Sequence, residues 1–398
     1  MAASTEPNMT DSRPSPPPPR TMLSAPGAET VIDGRQYLYF AGTGYLGLQG
    51  HPALVRAAVE AVERFGVHSA TSRSGCGTAP PMAQVERRAA ELLACQDACY
   101  VGSGYVANFA LTAALRDRVD AVLFDRWAHD SVREAVAGLA GPRHPAQAFR
   151  HRDVGHLAER LAALPKGARP LVATDGIFAV SGHLAPVGEY VRLLDNIPGA
   201  MLLVDDAHAL AVLGEQGHGS LEAAGIALAR ANRSFDHTAE GTRLFVTATL
   251  SKAVGGQGGI VCGTRDFIDN VRTASGWYRG ASAPANPVAA ATAQGLELAL
   301  ADDALRKQLA ARVRQLRAGL RKLGLDVEDS PSPVVGLQLE SAKAMQDLRG
   351  RLLEEGIFIA YSRDYAGAGA VGMLRIAVFA THAPEMIDAL VDALRRLL

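Results

Sequence analysis

A lysine stands where a solvated charge is poorly placed, directly after the apolar run Arg243–Ala248, in Thr249-Leu-Ser-Lys252-Ala-Val-Gly-Gly-Gln-Gly-Gly259. Among small residues at the end of a buried strand an ammonium group loses hydration. Its pKa falls, and the free amine becomes available to form a Schiff base. The hydroxyls of Thr249 and Ser251 suit a phosphate, and the glycines let backbone approach one closely. The same pattern also describes a surface lysine in a glycine-rich turn. Upstream lies Leu202-Leu-Val-Asp205-Asp206-Ala-His208. An aspartate ending an apolar strand is costly unless a positive group pairs with it. A protonated pyridine nitrogen is such a partner, the one that lets pyridoxal 5′-phosphate (PLP) act as an electron sink. His208 falls within reach of the same place. An N-capping aspartate and a satisfied histidine are the alternative.

Three further motifs follow predicted strands. Gly102-Ser103-Gly104-Tyr105-Val-Ala-Asn108 has a glycine turn opening a helix, a geometry that aims backbone N–H groups at an anion, although ordinary strand–helix turns share it. Asp125-Arg-Trp-Ala-His129-Asp-Ser131 offers His129 for stacking on a planar ring, or as a plain core histidine. Arg375, inside Leu374-Arg-Ile-Ala-Val-Phe-Ala-Thr-His382, needs an anion within an apolar strand. A substrate carboxylate and a structural salt bridge both qualify.

Elements that could position these residues alternate along the chain. Ala98–Val101, Ala121–Phe124, Pro170–Thr174, Ala200–Val204, Arg243–Ala248 and Gly259–Cys262 read as buried strands, with helical stretches between most of them. This predicts an α/β fold with a mainly parallel central sheet and helices on both faces. A strand at Gln36–Phe40 and helices over His51–Phe65 and Met82–Ala94 precede it. The second helix is expected to turn Glu86, Arg87, Arg88 and Glu91 to water. One long helix or a broken pair is expected over Pro287–Leu323. Val334–Leu339, Ile357–Ala360 and Leu374–Val378 then read as strands of a smaller α+β domain. The implied division is a disordered tail and N-terminal arm (1–35), a large cofactor-binding domain (36–285) and a small C-terminal domain (286–398).

Net charge of −1 and 20% charged residues give no field pointing to nucleic acid or an anionic membrane. No apolar run reaches membrane-span length, and the Pro- and Ser-rich start lacks a signal-peptide core. Four cysteines without metal-ligand spacing argue against a disulfide framework or a metal site. A reducing cytoplasm is the expected location.

Taken together and in this order, the five motifs resemble the α-oxoamine synthase family of fold-type I PLP-dependent enzymes, from about Phe40 to near the C-terminus. Tyr45-Leu-Gly-Leu, Phe149-Arg-His-Arg-Asp153, Thr174-Asp-Gly-Ile-Phe178 and Leu213-Gly-Glu-Gln-Gly-His-Gly219 support the resemblance. It implies that Lys252 carries PLP and later serves as acid and base at the substrate Cα. Asp205 would hold the pyridinium, His208 the ring hydroxyl, and His129 would stack on the ring. Ser103, Gly104, Tyr105, Thr249 and Ser251 would surround the phosphate or ring, and Ser282 would reach the phosphate of a partner subunit in a homodimer. Arg375 would grip the amino-acid carboxylate, with Thr43 nearby. The implied reaction joins an amino acid to an acyl thioester of coenzyme A or a carrier protein, generally with loss of CO2. An aminotransferase, decarboxylase or aldolase reaction on the same fold is the alternative. Four departures from the family pattern cluster near the expected substrate pocket: Thr43-Gly44 for Asn-Asp or Asn-x, Ala179 for serine, the loop Ser72–Thr78, and Tyr361–Tyr365, which lacks the usual double proline. They imply a shared cofactor machine with a divergent substrate.

Overall fold

The computed structural model describes residues 19–141, 145–226 and 241–398. The first 18 residues of the expected disordered tail lie outside this set. The chain then forms a hairpin, β1 (Glu29–Ile32) and β2 (Arg35–Tyr39). Asp33 and Gly34 make its two-residue turn with φ of 50° and 80°, the backbone that Asp-Gly tolerates best between twisted strands.

Seven strands build the central sheet: β3 (Asp97–Val101), β4 (Ala121–Asp125), β5 (Gln147–Phe149), β6 (Pro170–Asp175), β7 (Met201–Asp205), β8 (Arg243–Thr249) and β9 (Gly259–Gly263). Their order is β3-β9-β8-β7-β6-β4-β5. All pairings are parallel except those of β9, which runs antiparallel to both neighbours. Strands β6 to β9 are buried at every position, as a sheet covered on both faces requires. Within β7, Met201 and Leu203 enter one apolar cluster and Leu202 and Val204 the other, so successive side chains feed opposite faces. The parallel strands end along one edge, where Asp175 pairs in register with Asp205, and Asp205 with Thr247.

The C-terminal segment carries β10 (Val334–Leu337), β11 (Ile357–Phe358), β12 (Ala360–Ser362) and β13 (Met373–Ala377). The strand expected at Ile357–Ala360 is divided at Ile359: β12 joins the sheet β10-β13-β12, while β11 pairs parallel with β2. The chain's first and last thirds thus share a small sheet, β1-β2-β11. The helical stretch expected from Pro287 breaks at Asp302-Asp303 into Asn286–Ala301 and Ala304–Lys322. The first of these lies along helices Pro52–Phe65 and Pro80–Leu92.

One expectation about exposure is corrected. Glu86 is 8% exposed rather than wet, because Arg73 folds back onto it with two hydrogen bonds of 2.7 and 3.0 Å. In helix Pro52–Phe65, Leu54 and Ala61 face the core, whereas Val55, Val59 and Val62 point outward on this chain. Among the described residues no helix is long and apolar enough to cross a membrane, and no group of three or more His, Cys, Asp or Glu side chains is arranged to hold a metal ion.

Candidate active site

The carboxyl edge of the sheet opens into a cavity of about 240 Å³. Ser103, Gly104, Tyr105, His129, Asp205, His208, Thr249, Ser251 and Lys252 line it, together with Ser131, Asp175 and Ala207. Nine of the twelve candidate residues therefore meet in one place. Arg375 is joined to it through hydrogen bonds. Thr43 lines an adjacent cavity of about 220 Å³ with Gly42, Gly44, Gln49, Tyr39 and Phe379, and Ser251 belongs to both. Ser282 stands apart, on an exposed loop bridged to Ser72.

Each side chain is fixed by its element. After β8, Leu250 N–H donates to the Gly258 carbonyl and Gly255 N–H to that of Lys252, winding the chain into a tight loop that presents the lysine. Gly258 must be glycine there: its φ is +102°, and a Cβ would lie 2.3 Å from the Tyr100 ring. Gln49 clamps the loop by donating to the Lys252 carbonyl (2.6 Å). On the opposite wall Ser103 caps helix Gly104–Leu115, its Oγ accepting from Val106 N–H. Gly104 and Tyr105, which open that helix where backbone N–H groups lack an intrahelical acceptor, line the cavity together with Thr249 and Ser251, which share a 2.8 Å hydrogen bond.

Asp205 sits at the base. Asn108 Nδ2 donates to one carboxylate oxygen (2.7 Å) and Ala207 N–H to the other (2.9 Å). Asn108 is itself held by Thr247, which donates to its carbonyl oxygen. Among the described residues no lysine or arginine forms an ion pair with Asp205. His129 caps helix Asp130–Ala137, its Nδ1 accepting from Ser131 N–H, and Asp175 takes the His129 backbone N–H. Burial and the neighbouring Asp205 push the Asp175 carboxyl well up. Burial lowers His129, against the pull of Asp205.

Lys252 Nζ lies 2.7 Å from His208 Nε2. Burial lowers the amine to about 8, opposed by Asp205 and Asp175. Burial and the cations Lys252 and Arg375 hold His208 well below its ordinary value, so the ring is neutral. Its Nδ1 meets the hydroxyl of Tyr45, a fully buried residue, and Arg375 Nη2 donates to that hydroxyl oxygen (3.3 Å). Arg375 otherwise donates to the carbonyls of Ala179 (2.7 Å), Ala41 (3.1 Å) and Gly42 (3.0 Å). Among the described residues it has no carboxylate partner. Of the two partners that the sequence leaves open for Arg375, the structural salt bridge is thus absent from these residues.

Sequence reasoning passed over Tyr45, Asn108 and Asp175 as site residues although it quoted the stretches that hold them. For Asn108 a signal existed: with Thr112 it is one of two polar side chains beyond Tyr105 in an otherwise apolar helix. Tyr365, from the loop that departs from the family pattern, comes within 5.6 Å of the His129 ring, centroid to centroid.

The donor set fits a planar, phosphorylated pyridine aldehyde: an amine of lowered pKa, a buried carboxylate without a cationic mate, and a helix N-terminus beside two hydroxyls. Gly104 shapes this cradle, since a Cβ there would fall 2.6 Å from Thr249 Cβ.

The chain matches the aminotransferase class I and II family over residues 37–394. It is 34% identical over 380 residues to 8-amino-7-oxononanoate synthase of Nitrosococcus oceani, covering 95% of this chain and 96% of that one. The corresponding enzyme of Alkalilimnicola ehrlichii is 36% identical over 384 residues, covering 96% and 93%. Among solved structures, serine palmitoyltransferase of S. paucimobilis with a bound PLP–myriocin aldimine superposes with a TM-score of 0.84 at 26% identity, over 95% of this chain and 92% of that one. An 8-amino-7-oxononanoate synthase of Francisella tularensis, at 20% identity and TM-score 0.74 over 90% and 97%, shares the fold. The chain belongs to the aminotransferase class I and II family, within its α-oxoamine synthase group of PLP-dependent enzymes.

Proposed function

We propose that this chain condenses an amino acid with an acyl thioester, on coenzyme A or a carrier protein, to give an α-amino ketone with loss of CO2. The observation that carries this reading is Arg375: a buried guanidinium, linked by hydrogen bonds through Tyr45 and His208 to the cavity lysine, with carbonyls and a hydroxyl as its contacts and room in its charge balance for a carboxylate.

PLP, when bound, supplies an electron sink for the charge that develops at the amino-acid Cα. Lys252 anchors the cofactor and then, as a neutral amine, takes and returns the proton at Cα. Asp205, oriented by Asn108 Nδ2 and Ala207 N–H, would hold a proton on the ring nitrogen. His129 would cover one ring face, and His208 would meet the ring hydroxyl. Ser103, Gly104, Tyr105, Thr249 and Ser251 would hold the phosphate end, and Ser282, exposed on its own chain, would serve the neighbouring subunit of a homodimer. Arg375 orients the substrate carboxylate. The cavity lined by Thr43 and Gly44, reached past Ser251, receives the acyl group. The new carbon–carbon bond forms at Cα as the thioester carbon–sulfur bond breaks and the thiolate leaves to be protonated; the bond from Cα to the carboxylate then breaks to release CO2, and the proton that Lys252 returns takes its place.

A matrix of amino acids against acyl thioesters tests this, following free thiol with a disulfide dye. Thiol release that needs both substrates is expected. Amino-acid consumption that needs a 2-oxo acid, with no thiol released from any thioester, would replace this reading by an aminotransferase.

A further inference from the structure

We propose that Tyr45 is a positioning residue: it sets the tautomer of His208 so that a ring N–H, rather than a lone pair, faces Lys252. The inference follows from counting protons in the buried row Arg375–Tyr45–His208–Lys252. Arginine can only donate, so the Arg375 Nη2 contact uses the Tyr45 oxygen as an acceptor. The Tyr45 hydroxyl contacts two side chains among the described residues, Arg375 and His208 Nδ1. Its own proton therefore goes to His208 Nδ1 or to nothing. A fully buried hydroxyl proton left unmatched costs roughly 1–3 kcal/mol, enough to decide between tautomers. With Nδ1 accepting, the proton of the neutral ring resides on Nε2, 2.7 Å from Lys252 Nζ. An N–H aimed at that nitrogen is satisfied by an amine lone pair and repelled by an ammonium.

The row thus favours the free base of Lys252, the form that must accept a proton from Cα. Other groups act on the same centre. Asp205 and Asp175 favour the ammonium, while Arg375 opposes it. His208 faces Lys252, Arg375 and His129, all of which favour a neutral ring. Tyr45 adds what none of these charges supplies, a direction for the ring proton. Its own phenol, raised to about 12 by burial, stays protonated and available to donate.

The inference rests on Lys252 being the reacting amine, and its test uses cofactor-free protein, so it can fail while the acyltransferase reading stands. Nitrogen-15 histidine spectra, with His208 assigned by its loss in His208→Asn, report the tautomer. In the wild type the Nε2–H form is expected, and in Tyr45→Phe the Nδ1–H form or a mixture. In parallel, labelling of Lys252 by an acylating reagent is followed against pH by peptide mass spectrometry. Tyr45→Phe is expected to raise the apparent lysine pKa by at least ~0.5, giving about threefold slower labelling at pH 7. An Nδ1–H ring in the wild type overturns the proposal without any variant. So does a folded Tyr45→Phe protein whose tautomer and lysine titration are unchanged.

Discussion

Asp206, the neighbour of Asp205 at this edge, is not among the residues that line the cavity. It is fully buried behind Asp205, and Ser220 N–H donates to one of its oxygens (2.8 Å). Burial pushes its carboxyl from 3.8 up to about 7. A folded-state value above the unfolded one means that the native protein holds this proton more tightly. The unfolded chain ionises first, so stability falls as pH rises from about 4 to about 7 and then levels off. Each tenfold difference in proton affinity between the two states is worth about 1.4 kcal/mol. Asp206→Asn keeps the acceptor for Ser220 N–H and removes the charge. Thermal melts should show the variant gaining on the wild type from pH 5 to pH 8; an equal difference at both pH values would refute the assignment. The residue scale also shows where sequence reading stops. Lys252, Asp205 and His208 were legible because each breaks an apolar pattern. Tyr45 was not, since a tyrosine in an apolar stretch looks like core until its hydroxyl is seen between Arg375 and His208.

Elements place the cofactor cradle through close approach. Helix Gly104–Leu115 and strand β8 meet where Gly104 leaves no space for a Cβ against Thr249. Gly104→Ala should force the helix N-terminus away from the two hydroxyls. The expected result is a loss of about 1–3 kcal/mol in stability and at least ~10-fold weaker PLP binding, read by melting and by fluorescence titration. Unaltered PLP affinity would mean that the phosphate end lies elsewhere. Long buried strands such as β6 and β8 were visible in sequence as largely apolar runs. The three-residue β5 was not, being too short for any period, and the break at Ile359 was hidden because both halves are apolar although they join different sheets.

For the whole molecule the outlying residue is Ser282. Eleven candidate residues fall in or beside the two cavities, and Ser282 lies on an exposed loop of the same chain. Its proposed service to a neighbouring subunit predicts a sedimentation mass of twice 41.8 kDa. It also predicts that Ser282→Ala weakens PLP binding in that dimer. A stable monomer with full PLP affinity would defeat both. Sequence could suggest such an arrangement through resemblance alone, because neither charge nor periodicity records which face meets a second copy. The pairing of β2 with β11 escaped it for a related reason: contacts between residues more than three hundred positions apart leave no local trace.

The reversed strand β9 has a consequence for biosynthesis. It lies between β3 and β8, so Asp97–Val101, translated early, has no sheet neighbour until the ribosome has delivered Gly259–Gly263. The nascent chain must hold an apolar strand in waiting while well over a hundred further residues are made, a loop-closure delay that exposes it to wrong partners and chaperones. The segment that ends the wait begins seven residues after Lys252. Synthesis therefore delivers the wall carried by Ser103, Gly104 and Tyr105 long before Lys252, and the two sides of the cavity come together only as the sheet closes.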